Sequence, residues 1–455
     1  MTTVDHWSPI ESADPEQIRD EQQVALRAQL ARLMSRSPFY AAKLADVGFE
    51  HGDVASFSDL SELPFTEKQE LRDTQAEQPP LGAHAGVEMV DVERVHASSG
   101  TTGKPSYIGL TAADGAGWRE AVTRAYYTQG IRRDSVVAMG FGIGFFVGGL
   151  PVQQGLSAIG ATVIPVGTGA TERLIEASLD LGANALACTP SYASYLADRT
   201  QAVAGIAPSE LGFKRVLVGA EPGGGIPAFR AALQDVWNAT VTESVGNGDV
   251  VPIHSAECEA QDGNHFLVPD MAVMEVIDPD TAQVIDIWAQ PRSKGELVFT
   301  HLGRECAALV RFRTRDHVEI RTDPCPCGRT GPRMVCVGRT DDMLLLRGVN
   351  VWPSAVKDVI AEFQPKLSGQ FRIALDQAGH HHDPPLHIVA EAGATGVAEA
   401  EKAAIASEVE AALRAKLIVT CAVELVDPGT FPRTETKEKL LWRRDLNGDP
   451  QTAGR

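Results

Sequence analysis

Eight consecutive residues, Ser-Ser-Gly-Thr-Thr-Gly-Lys-Pro at positions 98–105, combine what a protein needs to hold phosphate. Gly100 and Gly103 let the backbone approach a ligand closely. The hydroxyls of Ser98, Ser99, Thr101 and Thr102, with successive amides, offer donors to phosphate oxygens, and Lys104 adds a point charge. No hydroxyl follows the lysine directly, so this is not the GxxxxGK[ST] loop of P-loop NTPases. A plain flexible turn rarely carries all eight of these residues in order, and phosphate binding is the reading we favour.

Cysteine and histidine spacing suggests a second kind of chemistry. Cys258 and His265 lie in CEAQDGNH, and Cys325 and Cys327 in CPCG. One C-x6-H and one C-x-C pair could close a tetrahedral Cys3His zinc site, against the alternative of ordinary cysteines in a tight loop. His254, at H-x3-C from Cys258, is the rival fourth ligand. Four protein ligands leave no open coordination position, so such a zinc would be structural. Cys188, Cys336 and Cys421 sit in apolar runs and read as buried core thiols.

Composition sets the frame around these residues. The chain has 455 residues, 44% of them hydrophobic and 22% charged, which is ordinary for a globular protein but too long for one core. Its formal net charge of -19 repels phosphate backbones, so nucleic acid is an unexpected partner. Anionic ligands would need a locally basic pocket, which Arg311, Arg313 and Arg315, with Arg339 and Arg347, could supply. The first residues are polar and acidic, and no stretch approaches the roughly 20 apolar residues of a membrane span. The expectation is a cytoplasmic protein, where clustered cysteines suggest metal before disulfide.

The elements that must position these groups are partly readable. Residues 20–34 form an amphipathic helix pattern with Leu26, Leu30 and Leu33 on one face. Between residues 90 and 300, the apolar runs VVAMGF, ATVIPV, ALACTP and RVLVGA alternate with helix-length segments, as in a parallel sheet covered by helices. MAVMEVI, DPDT and VIDIWA predict an antiparallel hairpin, with GELVFT as the next strand. A turn-rich break falls near residue 340. The strands RIAL and LHIVAEA follow, then a helix with Ile405, Val409 and Leu413 on one face, then IVTCAVELV. GHHHDPP at 379–385 reads as a surface loop. The expected fold is α/β. A large N-terminal domain, 1–338, carries mixed or parallel sheets flanked by helices, and a small α+β C-terminal domain spans 339–455.

The octapeptide and its surroundings resemble the adenylate-forming (acyl-CoA synthetase) superfamily, in its phenylacetate–CoA ligase-like branch. The resemblance runs through SPFY at 37–40, LPFTEKQELR at 63–72, ERVHASSGTTGKP, GATVIPVGTGATER, CTPSY, GAEP at 219–222, GELVFT, RFRTRD at 311–316, CPCGRTGPR, GRTDDMLLLRGVN at 338–350 and PRTETK at 432–437. It implies an enzyme that adenylates a carboxylic acid with ATP and magnesium, then passes the acyl group to coenzyme A. An aromatic or arylacetic acid is the expected substrate. The alternatives are delivery to a carrier-protein thiol, or an impaired protein that only binds nucleotide or acid. By resemblance, Asp316 binds the ribose hydroxyls, a task suited to a bidentate carboxylate. Arg339 supports the ribose or phosphates, and Lys437 bridges the acyl carboxylate and α-phosphate. Gly219, Ala220, Glu221 and Pro222 lie between acid and adenine. Phe141, Phe145 and Phe146 of FGIGFFVGGLP line a flat apolar acid pocket. Asp341 matches a hinge for a rotating C-terminal domain, and Gly348 faces the pantetheine tunnel.

Two departures stand out. Relatives carry an aromatic-Gly-x-[Ser/Thr]-Glu motif, whereas this chain has VGNGD at 245–249. Val245 replaces the ring over adenine, and Asp249 replaces the magnesium-binding Glu on a stem one methylene shorter. Thr436 replaces the usual Gly before the lysine. The resemblance also strengthens the zinc reading. Homodimers are common among relatives and among soluble assemblies generally.

Overall fold

Short buried runs of Val, Ala and Leu build the first half of the main sheet. In the computed structural model, Val136–Met139, Thr162–Ile164, Ala185–Cys188 and Arg215–Gly219 pair in parallel, as the alternation predicts. Alternate residues point to opposite faces. Ala138, Leu186, Cys188, Val216 and Val218 meet Leu174, Tyr192, Leu196, Leu233 and Trp237 on one side. Val137, Met139, Ala185, Ala187 and Leu217 meet Val122, Tyr126 and Leu156 on the other. The structure describes residues 5–49, 56–98, 106–347, 349–377, 379–431, 439–448 and 450, and of Asp341 only the backbone. Ser99, Gly100, Thr101, Thr102, Gly103, Lys104, Gly348, Thr436 and Lys437 therefore lie outside the described residues.

Strand Thr240–Asn247 is the switch between two regimes. It pairs in parallel with Arg215–Gly219 and antiparallel with Val251–Glu257. From there the sheet continues through Asn264–Phe266, Arg333–Arg339, Phe312–Arg321, Arg292–His301 and Ala272–Ile277, all antiparallel. Among the described residues this one sheet runs eleven strands. The expected hairpin needs correcting here. Ala272–Ile277 pairs with Arg292–His301, while VIDIWA contributes only the single bridge from Val284 to Ile277. The longer strand supplies six paired positions, and Trp288 stays half exposed rather than joining the sheet.

Helices start where the sequence offers caps. Helix Ala112–Thr128 follows Thr111, whose hydroxyl accepts from Asp114 N–H while the Asp114 carboxylate accepts from Thr111 N–H. Pro190 and Pro353 open their helices at the first position, where no amide partner is lost. The N-terminal helix, Pro15–Arg36, buries Leu26, Leu30 and Leu33 against Tyr40 and Leu44.

The C-terminal residues close a core of their own. Strands Cys421–Val426, Leu386–Ala392, Leu367–Leu375 and Leu441–Arg443 form a sheet in that order. Ile405, Val409 and Leu413 of helix Glu399–Leu417 pack on it with Phe371, Ile373 and Ile388. The loop expected at 379–385 also needs correcting, because His381 and His382 pair with Leu345 and Leu346. Helix Pro353–Ala361 packs Val356, Val359 and Ile360 into this core and docks its other side on the large unit. Asp358 accepts from Ala228 N–H at 3.2 Å, and the buried Lys357 ammonium reaches Pro222 O at 3.1 Å and lies over the Phe229 ring.

Candidate active site and metal cluster

The neck of the phosphate-type loop is a β-hairpin. Arg94–Ala97 pairs with Tyr107–Leu110, and beyond it Ser98 N–H donates to Ser106 O at 3.0 Å. Ala97 N–H donates to Phe145 O, which ties this neck to the segment 141–149. On the other side, a side chain at Gly248 would sit 3.2 Å from Val147 and 3.7 Å from Ile108. The hairpin, the 141–149 segment and the VGNGD turn therefore share one face. Phe141 is buried in the sheet core beside Val152 and Leu156, whereas Phe145 and Phe146 are about half exposed and Phe145 leans on Tyr107.

GAEP sits at the carboxyl end of Arg215–Gly219, where parallel sheets place ligands. Gly219 is required by proximity, since a Cβ there would lie 2.8 Å from both Ser244 O and its hydroxyl. Ala220 adopts φ 72°, which turns the chain off the sheet. Glu221 is buried and accepts from Ser191 N–H at 2.7 Å, at the start of helix Pro190–Ala204. Pro222 O takes the Lys357 ammonium. Val245, in the neighbouring strand, is partly buried and pairs with Ser255.

Asp316 and Arg339 are cross-strand partners, and Arg339 Nη1 lies 3.2 Å from Asp316 Oδ1. Asp316 is mostly buried, and its N–H donates to the Thr314 hydroxyl. Asp341, the expected hinge, follows on a short helical turn at Thr340–Asp342 between the two cores. The expected basic pocket is corrected by ion pairing. Arg311 is held by Glu275, Arg313 by Glu296 and Arg315 by Glu67, at 3.1, 2.8 and 2.7 Å. Their charge is spent on the scaffold beneath Asp316, and Arg347 is exposed.

Asp249 has a partner that sequence reasoning missed. Lys68 Nζ lies 2.5 Å from its Oδ2, and Asp249 N–H donates to Asn247 Oδ1. Oδ1 of Asp249 carries no hydrogen bond among the described residues. One free carboxylate oxygen, in company with waters and phosphate, fits the donor set magnesium takes at nucleotide sites. LPFTEKQELR contained Lys68, but nothing in its spacing pointed across 181 residues to Asp249.

The four expected metal ligands converge. The ligand atoms of Cys258, His265, Cys325 and Cys327 all lie within 4.8 Å of one another. Cys258 Sγ is 3.7 Å from Cys325 Sγ, and Cys327 Sγ is 3.3 Å from His265 Nε2. His254 is elsewhere, bonded to the Ser255 hydroxyl and packed on Phe299. Soft thiolates with one imidazole at tetrahedral spacing fit zinc.

Comparison with known proteins places this arrangement. Residues 348–444 match the AMP-binding enzyme C-terminal domain. A solved 2-hydroxyisobutyryl-CoA ligase in the postadenylation state, bound to an acyl-AMP, superposes with a TM-score of 0.88 at 26% identity, covering 98% of this chain and 95% of that one. The same ligase in the thioesterification state, bound to 2-HIB-AMP and CoA, gives 0.70 at 26% identity, covering 97% and 94%. The chain is 34% identical to a phenylacetate–coenzyme A ligase of Thermus thermophilus, over 94% of its own length and 96% of the relative's. It belongs to the phenylacetate–coenzyme A ligase family, and with it to the ATP-dependent, AMP-forming acid–coenzyme A ligases. Among the described residues, no helix is long and apolar enough to cross a membrane.

Proposed function

We propose that the acid this ligase activates is aromatic or arylacetic, of the phenylacetate type, and that its acceptor thiol is coenzyme A. The observation that carries this reading is 34% identity to a phenylacetate–coenzyme A ligase across nearly the whole chain. In the first step a carboxylate oxygen attacks the α-phosphorus of ATP and pyrophosphate leaves. In the second the thiol sulfur attacks the acyl carbon and AMP leaves. The first step gathers several anions, so the protein's task is alignment and charge neutralisation.

The residues divide that task. The 98–104 loop cradles phosphate, with Lys104 as its cation, and Lys437 joins carboxylate to α-phosphate. Asp316 takes the ribose hydroxyls, aimed by Arg339. Gly219, Ala220, Glu221 and Pro222 form the wall between acid and base, with Phe141, Phe145 and Phe146 toward the acid. Asp249 holds magnesium, whose chemistry is to neutralise the departing pyrophosphate. Cys258, His265, Cys325 and Cys327 hold a structural zinc. Residues 1–338 and 339–455 form the two domains, with Asp341 as hinge and Gly348 at the coenzyme tunnel. A cytoplasmic homodimer completes the reading.

The test is acid-dependent pyrophosphate release across aromatic, arylacetic, aliphatic and branched 2-hydroxy acids, with and without coenzyme A. Acyl-CoA formed from an aromatic or arylacetic acid is the expected result. Preference for a small hydroxy acid would replace the acid class, and pyrophosphate release without acyl-CoA would replace the acceptor with a carrier thiol. Lys437→Ala is expected to abolish adenylation and spare ATP binding.

A further inference from the structure

The Lys68–Asp249 pair is built, not incidental. Lys68 opens helix Lys68–Glu77, and the residues just before it are fixed on several sides. Thr66, fully buried, exchanges backbone hydrogen bonds with Arg311 and Arg313, and its hydroxyl donates to Val310 O. Glu67 accepts from Arg315 and, through its N–H, donates to Glu70. The arginine–glutamate ladder that underlies Asp316 thus also sets where Lys68 stands. Asp249 is held from the other side by Asn247, and its side chain is only 8% exposed, against 30% for Lys68. A pair with one partner nearly buried and both backbones fixed is worth more than a surface pair, because little side-chain entropy is lost and water screens it poorly.

Lys68 holds Oδ2, and a divalent cation on Oδ1 of the same carboxylate would stand only about 4–5 Å from the ammonium, a separation at which like charges repel strongly in a site that water screens poorly. We propose that Lys68 is a positioning residue that competes with magnesium for Asp249. It keeps the carboxylate aimed and neutralised before metal–nucleotide arrives, and metal binding must displace it. The shorter Asp stem sharpens the competition, since it gives the carboxylate less reach to serve a metal while staying on Lys68. This inference rests on the reading of Asp249 as the magnesium carboxylate.

The test is calorimetric titration of ATP into the full-length protein at a series of magnesium concentrations, with no acid present. Wild type, Lys68→Met, Asp249→Asn and the double variant are compared. Lys68→Met should lower the magnesium concentration at half-maximal binding about tenfold, a shift of about 1.4 kcal/mol. The same substitution should have no effect in the Asp249→Asn background, and Lys68→Arg should behave as wild type. An unchanged midpoint in Lys68→Met overturns the proposal. So does an equal effect in both backgrounds, or weaker ATP binding at every magnesium level, because then Lys68 contacts the nucleotide itself. If Lys68→Met unfolds, Lys68→Gln carries the same comparison. Absence of ATP binding by wild type at any magnesium concentration would sink the functional reading and this inference with it.

Discussion

At the residue scale, the informative groups are charges whose partners are already set. Asp316 is mostly buried and shared between Arg339 and its strand, so a ribose would meet a carboxylate of fixed direction. Hydrogen bonds to a charged group are worth about 1.5–3 kcal/mol. Asp316→Ala should therefore weaken ATP and AMP binding by about tenfold to a hundredfold in calorimetry, and equal affinity would remove the ribose assignment. Imidazoles give a second residue-scale outcome. Burial lowers His254 from 6.5 to about 3. The unfolded chain takes up that proton once the pH drops below about 6.5, whereas the native chain resists until about 3. Stability from this group is thus present near neutral pH and lost as the pH falls through that window. His254→Phe removes the titration, so thermal melts from pH 7 to pH 4 should fall less steeply than wild type.

At the element scale, the Cys3His cluster gathers the ends of neighbouring strands on one side of the antiparallel half. Cys258 follows strand Val251–Glu257, His265 lies in Asn264–Phe266, and Cys325 and Cys327 occupy the turn between Phe312–Arg321 and Arg333–Arg339. A metal there would fix the register of the antiparallel half that carries Asp316 and Arg339. Elemental analysis should find one zinc per chain. The double substitution Cys325→Ser, Cys327→Ser should lose the metal and lower the melting temperature by several degrees. His254→Phe should keep it, because His254 faces Phe299 rather than the thiols. Metal-free wild type with an unchanged melting temperature would reduce the four residues to a packed loop.

At the scale of the whole molecule, the relation between the two cores matters. The better superposition on a postadenylation state than on a thioesterification state, 0.88 against 0.70, goes with a specific contact. Lys357 and Asp358, on helix Pro353–Ala361, grip Pro222 O, Phe229 and Ala228 N–H, so the small unit holds the GAEP wall from behind. Lys357→Met keeps the apolar stem and removes the charge. It should slow acid-dependent pyrophosphate release roughly tenfold, while transfer from preformed acyl-adenylate to coenzyme A holds steady. Equal slowing of both steps would mean that the contact supports the fold rather than one arrangement.

The sequence by itself determined the class of chemistry and the parallel half of the sheet. Both are local signals: glycines and hydroxyls in one loop, and buried Val, Ala and Leu runs bounded by turn residues. It also narrowed the metal ligands to five residues, because cysteines and histidines are few and closely spaced. Tertiary structure decided what depends on distant partners. Spacing could not choose between His254 and His265, since both lie within a few residues of Cys258 and only strand direction sends one ring toward the thiols. Nor could composition reveal that Arg311, Arg313 and Arg315 are already neutralised by carboxylates up to 248 positions away. The VIDIWA strand stops short for a local reason: it meets the outer edge of Ala272–Ile277 at the Val284–Ile277 bridge, and the chain then turns away at Asp286–Ala289. Lys68 and Lys357 were invisible because a lysine's role lies in where its ammonium ends, and a long flexible stem leaves that to the packed fold.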